Sequence, residues 1–416
     1  MSSIKSIRAR EILSSGSTPS IEVECILESG ASGKASVPFG ASAGSHEASV
    51  ILDGDKKRFR GKGMLKAAGI VNNAISKLLV GEDALSQRKI DGKMIKTDGT
   101  ENKQKLGGSS ILGASLAVAR ASANERKRPL YMHIRDALDV NLKGFHLPGP
   151  MMVVVEGGKH ADNSTDLQEY LISIKGKDKA REKVRKGIEI YLAVKDVLKS
   201  RRYNTNVGNE GAFAPSGMPD NEEPLKIITE AIKKSGMKDV GISHDAAASE
   251  IFSGGKYILS KEKKELSSSE MIRYFENWAK KYNLITLEDP LAEDDWESWT
   301  EITKKLGSKI KIIGDDLTVT NINRLEKAIK LKAINTILIK LNQIGTLTET
   351  VDCCMLARKN KMDTIVSHRG GGETNDTFMV DLAVAVNSSF IKVGPSRGER
   401  VEKYNRLMEI GEELRL

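Results

Sequence analysis

Apolar and polar positions alternate early in the chain, along Ile21-Glu22-Val23-Glu24-Cys25-Ile26-Leu27-Glu28. A period near two predicts a strand with one buried face. A Gly/Ser-rich loop follows from Phe39 to Ser45, and the Ala-, Leu- and Val-rich stretch from Ser109 to Asn124 predicts a helix. Residues 1–140 thus read as a small α+β domain. His146-Leu147-Pro148-Gly149-Pro150 breaks the pattern and sets the start of a second domain, 147–416. From there short apolar runs recur, separated by amphipathic helical stretches. They are Met151 to Val155, Tyr170 to Ile174, Gly241 to Ser243, Leu284 to Leu287, Lys311 to Ile313, Thr336 to Ile339, Thr364 to Ser367 and Phe390 to Ile391. Eight such βα-type units predict an α/β fold, a (β/α)8 barrel preceded by the smaller domain.

The 416 residues suit that division, because a barrel takes about 250. No run of about 18 apolar residues occurs, so no membrane-spanning helix is expected. The segment Met1 to Leu13 lacks the apolar core of a secretory signal, and Cys25, Cys353 and Cys354 offer neither a disulfide framework nor a zinc-type spacing. Both features point to a cytoplasmic protein with reduced thiols. The formal net charge is +9, with basic runs such as Lys56-Lys57-Arg58. Aromatic residues make up only 5% and do not interleave with those runs, so the charge reads as a solvated surface rather than a nucleic-acid platform.

Polar residues placed just after the apolar runs turn the question from fold to chemistry. Asp245, Glu288, Asp315, Lys340, His368 and Lys392 each follow one of the runs, and from Glu288 onward they recur at roughly one βα unit. The C-terminal ends of barrel strands converge on one mouth, where active sites are built. Asp245, Glu288 and Asp315 make an oxygen-rich set suited to a hard divalent cation, magnesium in particular. Zinc would favour His and Cys, which these three positions lack. A lysine beside a divalent cation and a second ammonium has its charged form disfavoured, so Lys340 or Lys392 could act as a base. Metal and lysine together suit removal of a proton next to a carboxylate.

Longer motifs surround these residues. They include Asp98-Gly99-Thr100-Glu101-Asn102-Lys103, Gly157-Gly158-Lys159-His160-Ala161-Asp162-Asn163, Asp166-Leu167-Gln168-Glu169 and Val207-Gly208-Asn209-Glu210-Gly211. Further on come Asp245-Ala246-Ala247-Ala248-Ser249-Glu250, Leu287-Glu288-Asp289-Pro290-Leu291, Gly314-Asp315-Asp316-Leu317-Thr318, Ile339-Lys340-Leu341-Asn342-Gln343 and Ser367-His368-Arg369. In these motifs the chain resembles the enolase family, nearly end to end. The resemblance implies an N-terminal α+β domain with a mobile active-site loop and a modified barrel whose first units run ββαα. It implies reversible, magnesium-dependent dehydration of 2-phosphoglycerate to phosphoenolpyruvate by a homodimer or higher homo-oligomer, with two Mg2+ per active site, the second arriving with substrate. Asp245, Glu288 and Asp315 then match the ligands of the first ion, and Ser42 matches a ligand of the second that also touches substrate. Lys340 matches the base at C2. Glu210 matches the acid that helps the C3 hydroxyl leave, with Glu169 and Gln168 beside it. His160 matches a histidine that closes over substrate, and His368 lies in the same pocket. Arg369 matches the phosphate clamp and Lys392 the lysine on the substrate carboxylate. Enolase-type sites are themselves the standard illustration of a metal paired with a lysine base. Hydroxide leaves poorly, and a carboxyl of raised pKa suits the acid that assists it.

Several positions depart from the family. Ser14-Ser15-Gly16-Ser17-Thr18-Pro19-Ser20 replaces DSRGNPT, and Phe39-Gly40-Ala41-Ser42-Ala43 replaces SGAST. Glu156 stands where the family has asparagine, and Asn209 where it has aspartate. Gly370-Gly371-Gly372 follows Arg369 where SHRSGETED supplies a serine and one residue fewer. The lost hydroxyl predicts weaker phosphate binding, by about 1.5–3 kcal/mol if nothing replaces it. Three readings stay open: a working enolase, a paralogue acting likewise on another phosphorylated or phosphonylated acid, and a non-catalytic protein that binds through its basic surface.

Overall fold

The alternating stretch folds as strand β2 (Pro19–Leu27), antiparallel to β1 (Ile4–Leu13) on one side and β3 (Ser32–Ser36) on the other. Its period has a direct cause. Ile21, Val23, Cys25 and Leu27 are fully buried, while Glu22 and Glu24 on the opposite face stay half-exposed. The computed structural model describes residues 1–40 and 45–416. The predicted helix spans Gly108–Glu125 and packs on β2 and β3. It is buried nearly all round, which its small Gly, Ala and Ser side chains permit.

Each of the eight apolar runs forms one barrel strand. They are β4 (Gly149–Glu156), β5 (Glu169–Ile174) and β6 (Val240–Asp245), then, after a small meander of β7 (Phe252–Ser253), β8 (Lys256–Leu259) and β9 (Lys264–Leu266), the strands β10 (Leu284–Glu288), β11 (Lys311–Gly314), β12 (Thr336–Ile339), β13 (Asp363–Ser367) and β14 (Phe390–Val393). The barrel closes in the order β10-β11-β12-β13-β14-β4-β5-β6. The first units run ββαα: helices Ala180–Ser200 and Glu223–Ser235 both follow β5 before β6 begins. One consequence matters for chemistry. Strand β5 is antiparallel to both neighbours, with Glu169 opposite Glu156 on β4 and Asp245 on β6. It therefore brings its first residue, not its last, to the mouth where its neighbours end.

The smaller domain forms one wall of that mouth. Arg88 pairs with Asp352 at 2.8 Å and Lys103 with Glu349 at 3.0 Å. Arg120 grips Asp376 with both ends of its fork, at 2.6 and 2.8 Å, and the same carboxylate accepts the Ser36 amide at 2.9 Å. Removing one partner of a largely buried pair strands the other charge. Asp376→Ala is therefore expected to lower stability by about 3 kcal/mol, read as a shift in the urea unfolding midpoint.

Candidate active site

The residues that follow the barrel strands meet in one narrow cleft. His160, Gln168, Glu169, Glu210, Asp245, Asp315, Lys340, His368, Arg369 and Lys392 all line it. Glu288 lies just beneath, fully buried. Ser42 lies outside the described residues. At the centre is Lys392, 2% exposed, whose ammonium lies 2.8 Å from Asp245, 2.6 Å from Glu288 and 2.9 Å from Glu169. Burial opposes its charge, yet Asp245, Glu169 and Glu288 together hold its pKa well above the usual lysine range. The carboxylates answer differently. Burial and then the charge of Asp245 push Glu288 well up, whereas Lys392 helps keep Asp245 down against the effect of burial.

The three expected metal ligands are only partly gathered. Asp245 and Glu288 share Lys392, while Asp315 turns to the Lys340 ammonium and accepts Gln343 Nε2 at 2.7 Å. Among the described residues Asp315 also groups with Asp289 and Asp316 in a set compact enough to hold an ion. Asp289 accepts the amides of Asp315 and Asp316, both at 2.9 Å, which fixes the turn after β11. Burial, then the charge of Asp315, pushes Asp316 up to about 8. The donors are all oxygens, and Glu288 Oε2 is buried with no hydrogen-bond partner. Such a set fits a hard divalent cation. Lys340 is pulled in two directions. Burial pulls its ammonium down, but Asp315 outweighs this and its pKa rises to about 12. A neutral Lys340 requires the charge of Asp315 to be engaged elsewhere.

Across the cleft, Glu210 sits in the connection between helices Ala180–Ser200 and Glu223–Ser235, with 1% exposure. Its carboxylate lies 3.3 Å from His368 Nε2 and 3.5 Å from His160 Nδ1, and His160 Nδ1 lies 3.4 Å from Glu169. Burial would raise its pKa, but His368 and His160 prevail and hold it well below the usual range. Glu169 goes the other way: burial, then the charge of Glu210, push it well up. The two carboxyls are thus pushed in opposite directions. Both histidines face Glu210, whereas the Glu169 carboxyl, among the described residues, meets only His160, whose own pKa burial lowers.

On the remaining side Arg369 is 3% exposed and donates to Glu47 Oε1 at 2.8 Å, a contact from the smaller domain. The departures noted in the sequence meet here. Phe39 N donates to Gly372 O at 2.7 Å, and Ser15 N to Glu373 O at 2.8 Å. A Cβ on Gly16 would lie 1.9 Å from Gly371 O, and one on Gly372 would lie 1.8 Å from Phe39 O. The new residues therefore pack against one another as a set. Sequence reasoning passed over Glu47, Gln343 and Asp316. The last two stand within motifs already noted, but a rule that reads only the first polar residue after a strand skips them. Glu47 carries no periodic signal of its own.

A closed barrel with lysines and carboxylates converging on one mouth is the frame of a lyase-type enzyme running an enolase-like reaction. Residues 4–134 match the family described as Enolase, N-terminal domain, and residues 144–415 match Enolase, C-terminal TIM barrel domain. The chain belongs to the enolase family.

Gly370 has a role the sequence did not suggest. A Cβ there would lie 1.9 Å from Glu210 Oε1 and 3.0 Å from His160 Cε1. Serine at this position thus displaces Glu210 before it can reach a phosphate. Gly370→Ser is expected to lower kcat by at least about tenfold with little change in KM, since small misplacements of reacting groups are expensive. Steady-state kinetics beside a melting curve checks this, and a lowered KM at unchanged kcat would restore the lost-hydroxyl reading.

Proposed function

We propose that the protein catalyses the magnesium-dependent, reversible dehydration of 2-phosphoglycerate to phosphoenolpyruvate, the step used in glycolysis and gluconeogenesis. One observation carries this reading: Lys340, which follows β12, and Glu169, which begins β5, line the same cleft from opposite sides of the closed barrel, with Glu210 in the same cleft. A base and an acid so opposed suit removal of a proton and a hydroxyl from opposite faces of a small substrate.

In this proposal Asp245, Glu288 and Asp315 hold the first Mg2+, and Ser42 contributes to the second, which arrives with substrate. Mg2+ bound there would supply positive charge for the substrate carboxylate, and Asp315 engaged as its ligand would hold the Lys340 ammonium less tightly. Lys392 lies against that carboxylate, and Arg369, already oriented by Glu47, takes the phosphate through its planar fork. Lys340 removes the proton from C2. Glu210, after taking up a proton from the neighbouring Glu169 whose carboxyl is pushed up, delivers it to the C3 hydroxyl, which leaves as water. His160 and His368 hold Glu210 in place, and Gln168 lines the floor. A second reading, a paralogue acting on another phosphorylated or phosphonylated acid, draws on the repacked Phe39–Gly372 side. The proposal includes a homodimer or higher homo-oligomer and a cytoplasmic location. The latter accords with three buried, unpaired cysteines, and no helix among the described residues is long and apolar enough to cross a membrane.

The direct test is the dehydration assay with the purified protein. Turnover of 2-phosphoglycerate should vanish in excess EDTA and return with Mg2+, and calorimetry should show Mg2+ binding weakened at least about tenfold in Asp245→Ala. Full activity in EDTA would remove the metal assignment, and inertness toward 2-phosphoglycerate with intact Mg2+ binding would favour the paralogue. The two proton steps separate by isotope exchange. Lys340→Ala should lose C2 proton exchange with solvent together with turnover, by about 10²–10⁴-fold. Glu210→Gln should lose turnover yet keep measurable exchange. Exchange surviving in the lysine variant would exclude Lys340 as the base.

A further inference from the structure

Behind Glu210 lies a second buried carboxyl that the reaction scheme does not use. Glu156 is the last residue of β4 and is 0% exposed. Its carboxyl oxygens accept the Glu210 amide at 3.3 and 3.1 Å, and its own amide donates to Phe213 O at 2.9 Å. The turn that carries Glu210 closes over it. A Cβ on Gly208 would lie 2.6 Å from Glu156 Cδ, so only glycine lets the carboxyl tuck beneath. We propose that Glu156 is a positioning residue for Glu210: it holds that residue's backbone and couples the acid to a second titratable group. The inference rests on the reading of Glu210 as the group that protonates the leaving hydroxyl.

The surroundings explain why a carboxyl here differs from an amide. Glu156 faces Glu210 from the loop, Glu169 across the β4–β5 pair, and Arg400 at the start of helix Arg400–Leu414. Tyr191, on helix Ala180–Ser200, donates to Gly211 O at 3.0 Å and accepts Arg397 Nε at 2.8 Å. His160 reaches the same turn, its carbonyl accepting the Asn209 amide at 3.1 Å. Arg400 spends one donor on Asn209 O at 3.1 Å. Burial, then the charge of Glu210, raises Glu156 well above the usual carboxylate range, and Arg400 does not reverse this. Glu156 is thus drawn toward its neutral form and Glu210 toward its ionised one. Two buried carboxyls this close cannot both carry charge cheaply, so ionising one raises the proton affinity of the other. The chain has in effect exchanged the family's asparagine and aspartate: the carboxyl moves inward to Glu156, and the exposed flank becomes Asn209.

The sign of the pH effect follows. The folded pKa of Glu156 is raised above its unfolded value of about 4.3, so its contribution to stability is complete below that value and is lost as pH rises through the folded pKa. Glu156→Gln keeps an acceptor oxygen for the Glu210 amide but has no proton to lose. Its melting temperature should therefore gain on wild type progressively as pH rises above the unfolded value of about 4.3. In the 2-phosphoglycerate assay the variant should lose one step from the alkaline limb of the kcat profile. Glu156→Leu, which removes the acceptor, should lower kcat by about tenfold at every pH with KM unchanged. A melting difference that stays flat with pH overturns the coupling, whatever the activity. If the melting difference grows as expected but the protein leaves 2-phosphoglycerate untouched, the coupling stands and the dehydration reading fails. If melting behaves as expected but the kcat profile keeps its alkaline step in Glu156→Gln, Glu156 is structural and the positioning role is overturned.

Discussion

Asp245, Glu288 and Glu169 are buried together within reach of a single ammonium, that of Lys392. Carboxylates brought that close out of water would otherwise repel one another or take up protons. Lys392 settles which of them stay charged, and the fully buried strand β14 gives it no room to leave. The same constraint repeats at smaller scale around the mouth: Lys340 on Asp315, Arg369 on Glu47, the two histidines on Glu210. The cleft is a set of opposed charges held apart by a rigid barrel. A doubly charged cation and an anionic substrate would enter by exchanging these partners rather than by finding uncharged space.

The second organising fact is that the departures from the family are not scattered. Gly16, Phe39, Gly371 and Gly372 touch one another through backbone atoms, at separations that exclude a Cβ at Gly16 or Gly372. Each change makes steric sense only with the others. Gly370 belongs to the neighbouring contact, where it makes room for Glu210. This side of the pocket packs as a unit, apart from the barrel strand ends that carry Asp245, Glu288, Asp315, Lys340 and Lys392.

Proton placement gives the third layer. Glu156, Glu169 and Glu210 are all buried near one another, yet Glu210 alone is drawn down, because only it faces both His160 and His368. The acid side of the pocket therefore favours protons on its outer members over the central carboxyl.

Much of this was legible in the chain itself. Period-two alternation at Ile21–Leu27 and eight short apolar runs identified both domains, because burial on one or two faces of a strand leaves a local imprint. Polar residues after those runs located Asp245, Glu288, Asp315, Lys340, His368 and Lys392, because barrel strands all end at one mouth. Motifs supplied Glu169, Glu210, His160, Gln168 and Arg369. Only the tertiary structure showed that β5 runs backward and so delivers its first residue, that Glu47 crosses from the other domain to Arg369, that Gly370 makes room for Glu210, and that Glu156 lies behind it. Local pattern records which face of an element is buried. It holds no record of which distant residues share that burial, and in this pocket the charge and protonation of every group depend on that company.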